Sequence, residues 1–206
     1  MEVQDRQNAP RGGKLLSLVL ARRCRQIILT SIIAVIMLLT ISASYTDHVI
    51  YTSSNGNCII RGIYADSNVV AKSSDLGVKL NYETAELELS LDITTLLSGH
   101  VAIDSLIAMQ NVKDYSFKGS LTTGFISTNQ HALQKFKVEG YLSNGGNPVF
   151  VSGEGELEHI SEDYYSCLLT LSLPISLSAM GWDNISTKLN DRLDIKIYQI
   201  ILKKTE

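Results

Sequence analysis

The sequence predicts an all-β domain of about eight strands, mostly antiparallel, with one or two short helical segments. Three observations carry this. Apolar and polar residues alternate with period two through most of the chain after Tyr45, the pattern of strands with one wet face. Clusters of Gly, Asn, Ser and Asp separate the alternating runs. The chain has 206 residues, and the part after Tyr45 suits one domain with a real core and about eight strands of ordinary length.

The N-terminus comes first. Residues 1–26 form a polar and basic region. Arg22, Arg23 and Arg25 then precede Ile27–Ala43, which is apolar except for Thr30, Ser31, Thr40 and Ser42, and no Lys or Arg follows until Arg61. This asymmetry holds the N-terminus in the cytoplasm and sends Tyr45 onward across the membrane. Residues 27–44 are read either as a signal-peptide core with a small-x-small cleavage site at Ser42-Ala43-Ser44, or as a single-span membrane anchor. Both readings export residues 45–206 to an extracytoplasmic compartment. A buried core helix would leave the basic flank unexplained.

The strands follow in order. Asn55-Gly56 reads as a turn. Val78, Leu80 and Tyr82 alternate, and Asn81–Ala85 turns the chain into Leu87, Leu89, Leu91 and Ile93, which alternate with Glu86, Glu88, Ser90 and Asp92. A helix is predicted at about Val101–Val112, with Val101, Leu106 or Ile107, and Met109 inward. Phe136 and Val138 alternate with Lys135, Lys137 and Glu139, and the Asn144–Pro148 turn leads to Val149 and Val151. Gly153-Glu154-Gly155 reads as another turn. Cys167, Leu169, Leu171 and Leu173 form a strand, and Ser176–Met180 a short helical segment. Leu193, Ile195 and Ile197 alternate near the end, while Tyr198–Leu202 is apolar on both faces. A closed barrel or a sandwich satisfies this pattern equally.

Chemistry is sparse. Net charge is −3, and no basic cluster with interleaved aromatics points to nucleic acid. The histidines, His48, His100, His131 and His159, lack the spacing that sets two imidazoles on one face for a metal. No nucleophile elbow, P-loop or dinucleotide fingerprint occurs, so no catalytic residue is assigned. Glu154, Glu156 and Glu158 share one side of an extended chain and read as a solvated exterior rather than an acid/base pair. Asn184-Ile185-Ser186 is a formal glycosylation sequon. Cys58 and Cys167 lie in the exported part, where a disulfide is permitted. Such a bridge would close a loop of 109 positions and stabilise by a few kcal/mol. Two buried thiols on separate strands fit the spacing as well.

Several stretches resemble the YceI-like family. They are FKVEG at Phe136–Gly140, YLSNGGNPVFVSGEGELE from Tyr141, and the ending LSLPISLSAMGWDNISTKLNDRLDIKIYQIILKK. KLNYETAELELSLDI and DYSFKG are similar to the family's central strands. The likeness covers most of residues 75–204. Val49–Tyr64 lacks the family's opening His-Ser pair, and Asn144 stands where the family often has His. The resemblance implies a lipocalin-like extended antiparallel barrel, exported to the periplasm, that binds long isoprenoid chains in its interior.

The sequence reading is therefore an exported, non-enzymatic binding protein. Its barrel would shelter a long apolar ligand, a polyisoprenoid or other lipid, in a tunnel of aliphatic side chains. No cofactor is expected beyond such a lipid. Leu87, Leu89, Leu91, Phe136, Val138, Leu169, Leu171, Ile195 and Ile197 are the candidate lining residues. The alternative is a membrane-tethered β-domain, held through residues 27–43, acting as a structural or protein-interaction module with a solid core. A hydrolase assembled from distant residues would instead show a cleft with clustered acids.

Overall fold

A computed structural model describes residues 50–123, 126, 133–161, 166–180 and 187–205. The N-terminal region, the apolar run with its boundary at Ser44, His48, His131 and the sequon lie outside the described residues. Eight strands run in chain order: β1 (Ile50–Tyr64), β2 (Ser67–Asn81), β3 (Glu86–Asp92), β4 (Asp114–Leu121), β5 (Gln134–Ser143), β6 (Val149–Ser161), β7 (Ser166–Ser176) and β8 (Arg192–Lys204). Each pairs antiparallel with the next, and β8 returns to pair with β1. The alternation that left a sandwich open resolves as a closed, lipocalin-like up-and-down barrel. Closure satisfies both edges of the sheet, which an open sheet of this length would expose. Between β3 and β4 lie a 3-10 turn at Ile93–Thr95 and one helix, α1 (Val101–Ala108). No helix among the described residues is long and apolar enough to cross a membrane.

Two predicted turns are strand interior. Asn55-Gly56 lies within β1, at a bulge where the register with β2 shifts on both sides of Gly56. A Cβ on Gly56 would come 2.3 Å from Ile200 Cδ1 and 2.9 Å from the Leu76 carbonyl oxygen. Gly is needed there because Ile200 packs against the bare backbone. Opposite this point β8 bulges at Gln199, whose φ is +49°. The bulge shifts the inward phase from Ile197 to Ile200 and Leu202. That shift explains why Tyr198–Leu202 is apolar on both faces, since Tyr198 and Ile201 are left outside.

Gly153-Glu154-Gly155 is the middle of β6. The period-two pattern continues through it, with glycine occupying inward positions between Val151 and Leu157. Gly155 pairs with Phe136 of β5, and the ring covers it so closely that a Cβ would sit 2.5 Å from Phe136 Cζ. Glycine there is a packing choice beside a large ring, not a chain reversal. Glu154 and Glu158 are exposed on the outer face, and Glu156 meets Lys135 at 3.4 Å. Exposed pairs of this kind contribute little, about 0–1 kcal/mol.

The two helical expectations also change. α1 ends at Ala108 and turns Ile103 inward, while Val101 and Met109, expected inside, are 82% and 76% exposed. Ser176–Met180 is the end of β7 followed by a turn. Asp191 organises that turn. Its carboxylate accepts from Ser176 Oγ and Ser178 N, both at 2.7 Å, and its carbonyl accepts from Leu177 N at 2.7 Å.

Cys58 on β1 and Cys167 on β7 are both buried thiols with no disulfide between them. The ladders explain the separation. Cys58 pairs with Ile197 and Cys167 with Leu202, on opposite sides of β8. Five residues of rise at ~3.3 Å and two strand spacings of ~4.8 Å put their Cα atoms far beyond the ~7 Å a disulfide spans.

Candidate functional site

The barrel interior has two unlike ends. The first holds the start of β1, the β2–β3 turn and the end of β8. There Tyr51 and Tyr82 stack with ring centroids 4.1 Å apart. Around them Leu80, Leu87, Val138, Leu157, Leu169 and Leu202 have no solvent exposure. Large rings meeting aliphatic side chains from all sides fill the bore, so this end is closed.

The second end holds the β1–β2 hairpin, the β3–β4 connection, the β5–β6 turn and the β7–β8 connection. Here the bore stays open as a cavity of about 150 Å³. Ile60 of β1, Ala71 of β2, Leu91 of β3, Leu173 of β7 and Ile195 of β8 form its wall. Ile103, Leu106 and Ile107 of α1 close it from the side of the β3–β4 connection. Polar side chains in the wall are few. Gln110 is one, and its amide is turned away to donate to the Leu106 carbonyl at 2.8 Å. Tyr115 is another, and its hydroxyl accepts from Asn144 Nδ2 at 3.3 Å. Among the described residues, no carboxylate, His or Lys lines the cavity.

Both connections at this end are fastened to the β1–β2 hairpin. Lys72 and Leu97 exchange backbone hydrogen bonds, both 2.9 Å. Ser73 Oγ and Thr95 Oγ1 lie 2.6 Å apart. Asp92 accepts from Thr94 N at 2.8 Å, capping the 3-10 turn. Asp104 accepts from Ser98 N at 2.9 Å and Ser98 Oγ at 2.7 Å, which ties the loop to α1. From the other connection, the Lys188 carbonyl accepts from Ala65 N at 2.8 Å, and Asn190 N donates to the Ile63 carbonyl at 2.9 Å. The hydrogen bonds from Thr94, Ser98 and Ser176/Ser178 hold the Asp92, Asp104 and Asp191 carboxyls below the usual carboxylate range. These acids are structural fasteners outside the cavity.

Of the nine candidate lining residues, Leu89, Leu91, Ile195 and Ile197 lie in the cavity wall. Leu87, Phe136, Val138, Leu169 and Leu171 are inward but belong to the packed end. Alternation assigns a residue to the inner face and carries no information on its height along the bore. For α1 the sequence placed Leu106 or Ile107 inward, and both line the cavity, but Ile103 was missed because a helix apolar on two sides gives no single inward stripe. Ala71 was missed because a lone alanine carries no strand signal.

The scattered histidines and cysteines are placed as follows. His100 packs edge-on against Tyr64, with centroids 5.5 Å apart. His159 Nδ1 lies 3.5 Å from Cys167 Sγ, across the β6–β7 ladder, and the Tyr82 hydroxyl donates to the same sulfur. Burial raises the Cys167 pKa and the Tyr82 bond lowers it in part. Cys167 has no solvent exposure, so this pairing lies in the packed end, away from the cavity. Among the described residues no group of three or more His, Cys, Asp or Glu converges on a metal-sized point.

Cys58 lines the cavity. Burial pushes its thiol from an ordinary 9.0 up to about 11, because desolvation penalises the thiolate. Tyr82 is raised too, by burial first and then by its bond to Cys167. Both groups hold their protons more tightly in the folded chain than in the unfolded one. The stability linked to this is complete below about pH 9 and is lost as pH rises toward 11, where the unfolded chain ionises and the folded one does not. Denaturant titrations are expected to show stability level between about pH 7 and 9 and falling by ~2–3 kcal/mol by pH 11 from Cys58 alone. The Cys58→Ala variant should lack that share of the fall; an unchanged alkaline slope in the variant would refute it.

No family model matches this chain, and no curated protein sequence is significantly similar to it. A solved structure described as a polyisoprenoid binding domain from Saccharophagus degradans, implicated in plant cell wall breakdown, superposes with a TM-score of 0.59. It covers 77% of this chain and 99% of that one at 7% sequence identity. At that identity the likeness is one of fold.

Proposed function

We propose that this chain is a YceI-like binding protein that takes an isoprenoid or similar apolar lipid tail into its barrel without catalysing a reaction. The observation that carries the reading is the cavity. It is walled by aliphatic side chains and is blind at the Tyr51–Tyr82 end, with Gln110 and Tyr115 turned to partners of their own. The fold it shares with a polyisoprenoid binding domain supports the ligand class. The basic-then-apolar N-terminal segment supports an exported, periplasmic or extracytoplasmic location, with residues 27–44 as a signal peptide or anchor.

The size of the cavity refines the expected tunnel to a blind pocket. Ligand pockets for drug-sized molecules run about 300–1,000 Å³, and this one is about 150 Å³. An apolar protein cavity of about 150 Å³ admits a benzene-sized molecule, so the pocket as it stands takes about one isoprene unit. A longer chain is held by its inner end, with the rest leaving through the open end of the barrel. Each buried CH₂ contributes about 0.8 kcal/mol.

The test is direct. The full chain is expressed with its own N-terminus, purified without harsh detergent, extracted with organic solvent and measured by mass spectrometry. One prenyl lipid per protein is the expected result. A protein that yields no lipid and takes up no added prenyl alcohol would overturn the reading in favour of an interaction module.

A further inference from the structure

α1 and the loops beside it have an unusual distribution of apolar surface. Ile103, Leu106 and Ile107 face the cavity. On the outside of the same connection Leu97 is 71% exposed, Val101 82% and Met109 76%, and Val112 is exposed as well. A helix apolar on two sides belongs between two apolar media. One is the cavity. Nothing among the described residues covers the other.

The connection is also almost free of charge. Residues 93–113 carry one carboxylate, Asp104, and one Lys, Lys113. Asp104 is bonded to Ser98 N and Oγ, and Lys113 Nζ donates to the Ala108 carbonyl at 2.9 Å. The hydrogen bonds to Lys72 and Ser73 hold this surface in place, so its exposure is built in. Lys72, exposed next to Leu97, supplies a cation at its edge.

We propose that this outer face seats the mouth of the barrel on a lipid bilayer surface, with Leu97, Val101 and Met109 entering the headgroup–acyl boundary. Exposed apolar patches of this kind mark membrane or partner contacts, and short apolar faces bind at that depth. The choice of a bilayer rests on the proposed apolar ligand, which is insoluble in water and must come from a lipid phase. α1 is at once a wall of the cavity and part of the apolar face, so a lipid tail passing beside it between membrane and cavity would have little exposure to water. A second copy of the chain is a poorer fit, because four side chains present well under the ~800 Å² per partner of a standard interface.

The test uses the full chain with Trp182→Phe and a single reporter, either Val101→Trp or, on the outer face of β5, Tyr141→Trp. Each is mixed with phosphatidylcholine–phosphatidylglycerol vesicles carrying brominated acyl chains. The Val101→Trp reporter is expected to shift to the blue and lose most of its emission, while the Tyr141→Trp reporter keeps both. Equal responses at the two positions would overturn the proposal. So would a blue shift of Val101→Trp in vesicle-free buffer: one that grows with protein concentration would assign the face to a second copy, and one independent of concentration to another part of the same chain. The result is separable from the ligand reading, since quenching needs no bound lipid and lipid extraction needs no vesicle.

Discussion

Replacing Ala71 by phenylalanine is expected to empty the cavity while leaving the barrel folded. Ala71 points from β2 into the open end, where it packs with Ile93 and Leu96 and is bordered by Ile60, Leu91 and Tyr115. A benzyl group there would take most of a cavity of about 150 Å³. Excluding a five-carbon unit forfeits ~4 kcal/mol at ~0.8 kcal/mol per carbon, on the order of a thousandfold in affinity. The new ring fills space already present, so overpacking strain should stay near the low end of its ~1–3 kcal/mol range. Lipid recovered per protein, measured by mass spectrometry beside a thermal melt, checks both halves. Leu91→Met, which keeps the wall volume, should retain the ligand. An Ala71→Phe protein that carries as much lipid as the parent would place the ligand elsewhere.

The second large effect is one of stability and separates the two ends. Leu169→Ala in the lipid-free protein is expected to cost ~2–5 kcal/mol, because Leu169 has no exposure and its neighbours cannot collapse into the gap. For a domain of this size that is a fall in Tm of roughly 10 °C. Leu91→Ala enlarges a space that already exists and removes a side chain that is only partly buried, so its cost should be clearly smaller. Paired melts of the two variants decide the matter. Equal losses would mean that the open end is packed as tightly as the closed one.

Much of the barrel was legible because strand signals are local. Leu87, Leu89 and Leu91 had to share a face wherever the sheet went, and Asn81–Ala85 had to turn. The failures were local as well. Asn55-Gly56 and Gly153-Glu154-Gly155 have turn composition, yet both lie inside strands. Their glycines answer to Ile200 and Phe136, which are distant in sequence, and no reading of neighbours could reveal that. Val101 and Met109 failed differently. They are apolar, and the expectation that apolar helical residues face a core put them inside, whereas the cavity side was taken by Ile103, Leu106 and Ile107.

The division has a physical cause. The amino-acid sequence alone determined the strand count, the inward face of most strands, the basic-apolar N-terminal segment and the lack of a catalytic motif. Each of these follows from composition or from a period of two residues. Only the tertiary structure decided that the sheet closes β8 onto β1, that Cys58 and Cys167 lie too far apart to join, and that the bore is filled at one end and open at the other. Those outcomes depend on register, on the facing bulges at Gly56 and Gln199, and on which large side chains meet across the barrel. Leu89 and Leu169 are alike in sequence pattern. One lines a cavity and the other is packed solid because Tyr51 and Tyr82 stack at only one end.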